Sequence, residues 1–432
     1  MSTKRAELRR KARGRDHPAP GCAKSPLEGP LREEDLGGYR FFKKIRALLK
    51  PLHPQKEQRN RHLFYDDYAA LMLFYFFNPI ITSLRGMQAV SDMSQVQEKL
   101  GIRRVSLGSL SESVHLFDPD ILRQVFQNLA ARAAQRPQHE KLKDLQEVLT
   151  VADGSILPAL PRMAWALWLP ENNNGIKMHV QLEVLTESAV RMEMTPANVR
   201  DKTQFATALE AGRLYIIDRG FHDYALMQKI VNAGSSFVMR LQRNAGYTVL
   251  EEKPLTEEAK EAGVVWDRIV RMGLQKRVRE KMSEPVRLVK IHVPAREPRG
   301  LGYKAKKVYS KTKRRVEPGR PYDLLIATNR LDLDADIIGL IFRHRWKVEL
   351  FFRMIKCLLG CRHLVSDSPE GVTIQIYCAL IAALLLAEHT GRRPGKRAYE
   401  IMTMYLGGWC TAGEAVELFE KYAPKAETKK QG

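Results

Sequence analysis

The 432-residue sequence predicts an α/β protein, in which a mixed β-sheet flanked by helices follows an N-terminal all-α domain and precedes C-terminal helices. Apolar residues recur at helical spacing from residue 39 to about residue 134. Short runs of β-forming residues then alternate with helical segments between residues 145 and 241. A helical pattern returns after Ser366. The apolar fraction of 44% is that of a folded globular chain.

Composition narrows the class of partner. The formal net charge is +22, and such an excess of Lys and Arg favours a polyanion, most commonly nucleic acid. A ribosome-associated or membrane-surface protein is the alternative that the charge leaves open. The most apolar stretch, residues 374–387, is shorter than the ~20 residues that a membrane span needs. We therefore expect a buried core helix there and no membrane association. The five cysteines form no paired framework, so a reducing cytoplasm is the expected location.

The central region predicts the order of the sheet. Residues 148–152, 178–185 and 189–194 form three consecutive strands, and strands at 214–217 and 236–241 then alternate with helices. Three strands in a row followed by helix and strand in alternation is the order of an RNase H-like sheet. A further strand is expected at 322–328, and another at 286–293 within a basic segment.

Five regions follow from these patterns. Residues 1–38 are predicted as a flexible basic arm, and 39–140 as a helical, DNA-binding domain. The α/β core comprises 141–244 and 321–365. A basic β-rich insertion occupies 245–320, where residues 268–320 contain 18 Lys or Arg but four Glu and no Asp. Residues 366–432 form a C-terminal helical region.

Two aspartates are expected at the rim of the sheet. Asp153 follows the strand at 148–152, and Asp218 follows the strand at 214–217. Each precedes a Gly within two residues, so each side chain is predicted at a turn where a bound ion could reach it. Aspartates at strand ends are also common turn formers, and either residue alone is a weak signal.

A third carboxylate lies on a helix predicted to begin near Asp334 and to continue past Lys356. At 100° per residue, one face of that helix holds a carboxylate among cations: Phe342, Arg345, Glu349, Arg353 and Lys356. The neighbouring face is apolar: Ile341, Val348, Phe352, Ile355 and Leu359. Glu349 would therefore border the seam that docks on the sheet, although an exposed intrahelical ion pair is the ordinary alternative.

These residues resemble a known family. The spacing Phe342-x2-Arg345-x3-Glu349-x6-Lys356 is similar to the Tyr-x2-Arg-x3-Glu-x6-Lys signature of the DDE transposases of the insertion-sequence-four family. Asp153-Gly-Ser and Asp218-Arg-Gly-Phe resemble its first and second acidic blocks, and Lys177-Met-His179 resembles a stretch after the first. The resemblance covers roughly residues 145–390. Phe342 departs from it, because the family has Tyr there and this chain lacks that hydroxyl.

The resemblance implies a DNA transposase with an RNase H-like catalytic core. Such an enzyme cleaves the ends of a transposon and transfers them into target DNA with two Mg²⁺ ions, for which Mn²⁺ can substitute. Carboxylates are the ligands that Mg²⁺ prefers, so we expect Asp153 to bridge the two ions and Asp218 and Glu349 to bind one each. The partners implied are inverted-repeat ends, target DNA and a second copy of the chain in a synaptic homodimer.

Four further residues are expected to contact DNA. Arg345 and Lys356 would hold phosphates beside the metals, with Arg353 and the ring of Phe342 on the same face. In some relatives an aromatic residue of the insertion stacks on a flipped base. Trp266 is the candidate here, and His179 could approach the site from its strand. A structural role is the more common one for residues in both of these settings.

Two other functions remain open at this stage. One is an RNase H-like nuclease that cleaves DNA without joining strands. The other is a domesticated, non-catalytic DNA-binding protein. The presence of Asp153, Asp218, Glu349, Arg345 and Lys356 together argues against the second alternative, because decay would strike these residues as readily as any others.

Overall fold

The computed structural model describes residues 40–53, 63–78, 80–132, 140–158, 163–166, 175–274, 282–295, 321–360, 364–390 and 396–422. The predicted arm at 1–38 and two parts of the insertion, 275–281 and 296–320, lie outside these residues. The chain divides into two compact units. The first comprises Met1–Leu129, Cys357–Val365 and Ile374–Gly432, and the second comprises Ala130–Lys356 and Ser366–Thr373.

Helices from both ends of the chain build the first unit. The N-terminal ones are α1 (Arg40–Leu49), α2 (Tyr65–Phe77), α3 (Leu84–Ser91), α4 (Ser94–Leu100), α5 (Leu107–Glu112) and α6 (Pro119–Ala131). The C-terminal ones are α12 (Pro369–Thr390), α13 (Lys396–Leu406) and α14 (Ala412–Lys421). The Tyr399 hydroxyl donates to the Phe76 carbonyl at 2.5 Å, and the rings of Phe126 and Tyr377 lie 5.9 Å apart. The sequence does not predict this grouping, because it depends on contacts between distant segments.

Helix α12 contains the apolar stretch discussed above. Among the described residues it is the one helix whose length and composition would allow it to cross a membrane. Its most apolar 18 residues are 83% buried inside the protein. Burial of this kind is typical of a core helix, which agrees with the prediction for 374–387.

The second unit is built on a mixed sheet. Its strands are β1 (Val148–Pro158), β2 (Gly175–Glu183), β3 (Ser188–Pro196), β4 (Arg213–Ile217), β5 (Ser236–Arg240), β6 (Tyr247–Lys253), β7 (Val264–Met272), β8 (Val286–Val293) and β9 (Tyr322–Thr328). Their order in the sheet is β3-β2-β1-β4-β5-β9-β8-β7-β6. Strands β4 and β5 run parallel to β1, and the other neighbours are antiparallel. The predicted mixed α/β fold is therefore confirmed.

Strand β1 is longer than the sequence predicts. It does not turn at Asp153, because residues as far as Pro158 stay paired with β2, where Asp153 lies opposite Val180. Its pairing with β4 ends much earlier, at Val151 opposite Ile216. The prediction of a turn at Asp153 is wrong, since the antiparallel partner keeps the chain extended after the parallel partner has ended.

The basic insertion continues the core sheet. Strand β8 has the predicted bounds and pairs with β9, which also has its predicted bounds. Strands β7 and β6 follow outward from β8. The described part of the insertion is thus an extension of the same sheet, held to the core by the β8–β9 ladder.

Helices cover the sheet. Helix α7 (Asp201–Ala206) and helix α8 (Tyr224–Asn232) follow β3 and β4, and α9 (Glu257–Glu261) lies between β6 and β7. A buried cluster that includes Phe205, Tyr215 and Phe237 joins α7 and α8 to the sheet. On β4 the alternate residues Leu214 and Ile216 are also fully buried, as expected for a central strand with both faces covered.

The prediction of one continuous helix from Asp334 past Lys356 is wrong, because the chain forms two helices there. Helix α10 (Ala335–Arg343) ends at a turn, and α11 (Trp346–Gly360) begins after it. In the turn, Arg345 N–H donates to the Phe342 carbonyl at 3.1 Å, and Lys347 N–H donates to the His344 carbonyl at 2.9 Å. Such i to i−3 bonds tighten the chain to about three residues per turn. The 100° phase that relates Phe342 to the later residues therefore fails at this point, whereas it holds within α11.

Candidate active site

Asp153 and Asp218 lie at the same level on adjacent parallel strands. The last β1–β4 pair is Val151 opposite Ile216, and each aspartate comes two residues after its member of that pair. Neighbouring strands are ~4.8 Å apart, so the register brings the two residues side by side where β4 ends. Both residues were predicted at a rim of the sheet, but Asp153 lies within β1, beside the point where β4 ends at Ile217.

The side chain of Asp218 does not cap the short helix that follows it. It occupies the N-cap position of the short 3-10 helix Arg219–Phe221, yet its side chain caps no backbone N–H. Among the residues that the structure describes, its Oδ1 is buried without a hydrogen-bond donor, and Arg240 Nη1 is 3.7 Å away from it. Burying a carboxylate oxygen without a donor is unfavourable. This arrangement differs from that of a turn-forming aspartate and leaves an oxygen available to a ligand.

The surroundings of Asp153 disfavour the ionised form of its carboxyl group. Gly154 N–H donates to its Oδ1 at 2.8 Å. Burial raises the pKa of Asp153 to about 6, and Asp201 and Asp218 add to that shift, while the Gly154 N–H and Arg345 oppose it. These influences place Asp153 within electrostatic range of Asp218, Asp201 and Arg345.

Glu349 is paired with Arg345. The Nη2 of Arg345 lies 2.5 Å from the Oε1 of Glu349, in an i,i+4 pair across the start of α11. Both side chains are largely shielded, with 18% and 34% of their surfaces exposed. Lys347 fixes this turn by donating to the Val184 carbonyl at 2.9 Å and pairing with Glu187 at 3.0 Å. Arg345 therefore pairs with Glu349 and also acts electrostatically on Asp153, whose pKa it lowers.

The structure places the other residues predicted to contact DNA in different surroundings. Phe342 is 7% exposed, so its ring packs in the core and presents little surface to DNA. Arg353 and Lys356 are exposed on α11. Trp266 is half-buried on β7, with the Arg268 guanidinium 4.5 Å above its ring. Strand β7 is four strands from β4, roughly 19 Å at the usual strand spacing.

A cationic cleft beside Asp218 was not predicted. Three arginines line a depression of about 430 Å³, namely Arg219, Arg240 and Arg243, with Asp323 as the acidic member. Burial lowers the pKa of Arg240, and Asp218 opposes that shift. Within the described ranges, neither Arg219 nor Arg243 has a carboxylate partner, and both are exposed. The Arg that follows Asp218 and the Arg that ends β5 were signals in the sequence, but only the parallel β4–β5 pairing shows that they converge.

The carboxylate oxygens of Asp153 and Asp218 are chemically suited to bind a divalent cation. Carboxylate oxygens are hard ligands of the kind that Mg²⁺ and Mn²⁺ prefer, and the buried Oδ1 of Asp218 lacks a donor. Glu349 is turned to Arg345. Because Glu349 pairs with Arg345, it does not complete a set of three ligands. The described part of the chain accordingly contains no group of three His, Cys, Asp or Glu residues close enough to hold a metal ion.

Comparison with known proteins identifies the family of the chain. The transposase DDE domain family matches residues 144–385. A Sinorhizobium fredii protein named as the transposase y4zB is 28% identical over 223 residues, covering 51% of this chain and 55% of that protein. A Geobacillus stearothermophilus protein, named as the transposase of insertion sequence element IS5377, is 34% identical over 64 residues, covering 15% of this chain and 17% of that protein. The chain thus spans about half the length of the first relative and less of the second.

One solved structure is also similar along most of the chain. It is a piggyBac transposase synaptic complex with hairpin DNA, which matches 92% of this chain and 85% of its own at 12% identity. Its TM-score of 0.41 is too low to establish a shared fold. The family match covers more than half of the chain and includes both aspartates, Arg345 and Glu349. On that match, the chain belongs to the family of proteins with a transposase DDE domain.

Proposed function

We propose that this protein is a DNA transposase of the insertion-sequence-four group, which cleaves transposon ends and joins them to target DNA. The observation that supports this best is that Asp153 and Asp218 each lie two residues beyond the last pair of the parallel β1–β4 ladder, Val151 and Ile216. The buried Oδ1 of Asp218, which lacks a donor, adds to it. The strand order β3-β2-β1-β4-β5 supports an RNase H-like core.

Asp153, Asp218 and Glu349 are the residues that would hold the metal. When bound there, two Mg²⁺ ions would activate the attacking hydroxyl and stabilise the leaving oxygen, and Mn²⁺ would substitute for them. Asp153 is near Asp218 and would contribute its carboxylate to the metal site. Its raised pKa reflects a carboxylate whose ionised form is stabilised poorly by the protein alone.

Arg345 has two partners in this proposal. Without DNA it neutralises Glu349 at 2.5 Å. A phosphate of the DNA end offers its guanidinium two oxygens in bidentate geometry. Transfer of Arg345 from Glu349 to that phosphate would free Glu349 to turn towards Asp153 and Asp218. The third carboxylate would then join the site only when DNA is present.

The cationic surfaces beside the carboxylates are proposed to hold DNA. Arg219, Arg240 and Arg243 would receive phosphates next to Asp218, and Arg353 and Lys356 would do so along α11. Trp266 contributes to a second depression of about 670 Å³ together with Tyr322 and Lys290, where it would contact DNA away from the reacting phosphate. We further propose that the N-terminal helices bind DNA and that two copies of the chain form a synaptic homodimer. The protein is proposed to act in the cytoplasm.

A cleavage assay tests the proposed function. The purified full-length chain is incubated with a labelled duplex that ends in the inverted repeat flanking its gene, with Mg²⁺ or Mn²⁺ and a target plasmid. We expect nicking at the end and covalent joining to the plasmid. Glu349→Gln should abolish both reactions, whereas the exposed control Glu251→Gln should retain them. Cleavage by Glu349→Gln at the wild-type rate would show that Glu349 has no catalytic role.

The same assay separates the alternatives. A nuclease would release the end without any joined product, even when a pre-cleaved 3′-hydroxyl end is supplied. A non-catalytic DNA-binding protein would shift the duplex in a gel but leave it uncut with either metal.

A further inference from the structure

A second acidic residue, Asp201, lies against the strand that carries Asp153. Asp201 is the first residue of α7. Lys177 Nζ approaches its Oδ2 at 3.2 Å, and His179 Nδ1 approaches its Oδ1 at 2.9 Å. The His179 approach is an ion-pair distance but is not aligned as a hydrogen bond, because Oδ1 is buried without a donor in hydrogen-bond geometry. The carboxylate is thus fixed between two cationic or potentially cationic side chains.

The two side chains that hold Asp201 are themselves tied down. Lys177 also donates to the Val199 carbonyl at 2.8 Å. His179 Nε2 lies 2.8 Å from the Thr195 hydroxyl, and that hydroxyl donates to the Pro196 carbonyl at 3.1 Å. Strand β2, strand β3 and the start of α7 are therefore joined around one carboxylate.

The fixed carboxylate occupies the space where residue 154 would carry a side chain. A Cβ placed on Gly154 would lie 1.9 Å from Asp201 Oδ1 and 2.7 Å from its Cγ. Both distances are far below van der Waals contact. Because Lys177 and His179 hold the carboxylate, it cannot simply swing away. Gly154 is therefore required by a contact with Asp201 and not by a turn, since β1 remains extended there.

This contact supports β1 where the strand has lost one neighbour. The pairing of β1 with β4 ends at Val151, so β2 alone pairs with the backbone at Asp153 and Gly154. Successive strand residues face opposite sides, so Asp201 contacts the side of β1 opposite to the Asp153 side-chain position. It is also near enough to affect the charge of Asp153 electrostatically.

We propose that Asp201 is a positioning residue: its carboxylate, held by Lys177 and His179, packs in place of a side chain at Gly154 and fixes the backbone that presents Asp153. The inference rests on the proposed function for its catalytic consequence, but not for the contact itself. Asp201 is not a fourth metal ligand in this proposal, because Lys177 pairs with one of its oxygens and His179 lies against the other.

The contact is tested by a thermodynamic cycle on the metal-free full-length chain. Gly154→Ala, Asp201→Ala and the double variant are unfolded in urea. We expect Gly154→Ala to lower the folding equilibrium constant at least about tenfold in the wild-type background. In the Asp201→Ala background it should have no such cost, because the space is then free and Ala is less flexible than Gly when unfolded. An equal cost in both backgrounds would overturn the contact.

The positioning role is tested by metal binding and by kinetics. Loss of a group that orients a metal ligand typically weakens metal affinity or activity by about 10–100-fold. Asp201→Ala should therefore weaken Mn²⁺ binding, followed by electron paramagnetic resonance, by that range. It should lower kcat for end cleavage similarly, while KM for DNA stays within about threefold. Asp201→Asn, which preserves the shape, should restore most of both. The matched control is Glu210→Gln, which breaks the 2.7 Å pair with Arg213 and should change neither.

The outcomes separate the two proposals. If the wild type does not cleave DNA, the proposed function fails, while the urea cycle and Mn²⁺ binding still test Asp201. Wild-type Mn²⁺ affinity in Asp201→Ala would overturn the positioning role. If Asp201→Ala fails to fold, Asp201→Ser, which shortens the side chain and retains polarity, takes its place in every measurement.

Discussion

At the scale of single residues, Asp218 and Asp223 show how the same amino acid takes different roles five positions apart. Asp223 caps α8 by accepting from Ala225 N–H and Leu226 N–H. Asp218 occupies an equivalent position at the Arg219–Phe221 turn but accepts nothing there. An N-cap aspartate stabilises its helix, whereas an aspartate without a donor is retained at a cost. The stability of the fold therefore gives no reason for an aspartate at position 218.

This difference predicts opposite effects of two equivalent substitutions. Asp218→Ala should abolish end cleavage and leave the free energy of unfolding within about 0.5 kcal/mol of wild type or slightly higher. Asp223→Ala should lose about 1 kcal/mol of stability through the lost cap and keep its cleavage rate. Urea unfolding and the cleavage assay measure the two effects side by side. A large loss of stability in Asp218→Ala would mean that its carboxylate is structural.

The pKa of Asp153 predicts a pH-dependent gain in stability. Its pKa of about 6 lies above the usual value near 3.8, so folding favours the protonated form. This contribution to stability is complete below pH 4 and is lost as the pH rises through 6. Asp153→Asn, which cannot ionise, should therefore stabilise the metal-free protein at pH 8 by about 2–3 kcal/mol and by almost nothing at pH 4.

The measurement is urea unfolding in the presence of a chelator at both pH values, with exposed Asp144→Asn as the control. The Asn variant should also be inactive in cleavage. Equal stability of Asp153→Asn and wild type at pH 8 would contradict the raised pKa.

At the scale of elements, a buried arginine links two strands of the insertion to each other and to the segment that precedes α10. Arg287 on β8 and Asp267 on β7 are 4% and 3% exposed and lie 2.5 Å apart. Arg287 also donates to the carbonyls of Leu331 and Leu333 in the segment before α10. Strands of the insertion are thus linked to the segment that leads into α10.

Breaking this pair should be costly. Asp267→Ala leaves the Arg287 guanidinium buried without its carboxylate, which typically destabilises a protein by about 3–5 kcal/mol. Glu252→Ala removes the partner of the exposed Arg268 pair, 2.7 Å apart, and should cost at most about 1 kcal/mol. Urea unfolding compares them. Similar costs for the two variants would show that the buried pair contributes no more than a surface one.

The turn at His344 and Arg345 also belongs to this scale. The i to i−3 bonds after Phe342 end α10 and reorient the chain before α11 begins. Because of that turn, Phe342 is buried with α10 while Arg345 reaches Glu349. The substitution of Phe for the Tyr of the resembling family therefore affects a packed position in this protein.

At the scale of the whole molecule, the net charge of +22 predicts DNA binding that depends steeply on salt. A protein that contacts six or more phosphates loses roughly 10³-fold in affinity between 50 and 200 mM salt. Arg219→Ala combined with Arg243→Ala should reduce the slope of log K against log salt by about 2, since each arginine is proposed to contact one phosphate.

The slope is measured by fluorescence anisotropy with a labelled end duplex at several salt concentrations. The control variant Lys143→Ala combined with Lys260→Ala removes two exposed lysines that pair with Glu140 and Glu257, and should leave the slope within about 0.5 of wild type. An unchanged slope in the arginine variant would place the DNA elsewhere.

The sequence by itself determined the α/β class and the bounds of β8 and β9, and it supplied the proposal that the carboxylates at 153, 218 and 349 form the site. These features are local, because β-forming runs, helical spacing and a motif can be read within a few residues of one another. Only the tertiary structure decided that Asp153 and Asp218 share a level, that β1 continues past Asp153, and that α10 and α11 are separate helices. It alone brought Arg240 to Asp218 and Asp201 to Gly154. Strand register and side-chain convergence depend on contacts between residues far apart in the chain, and a single sequence does not contain their geometry.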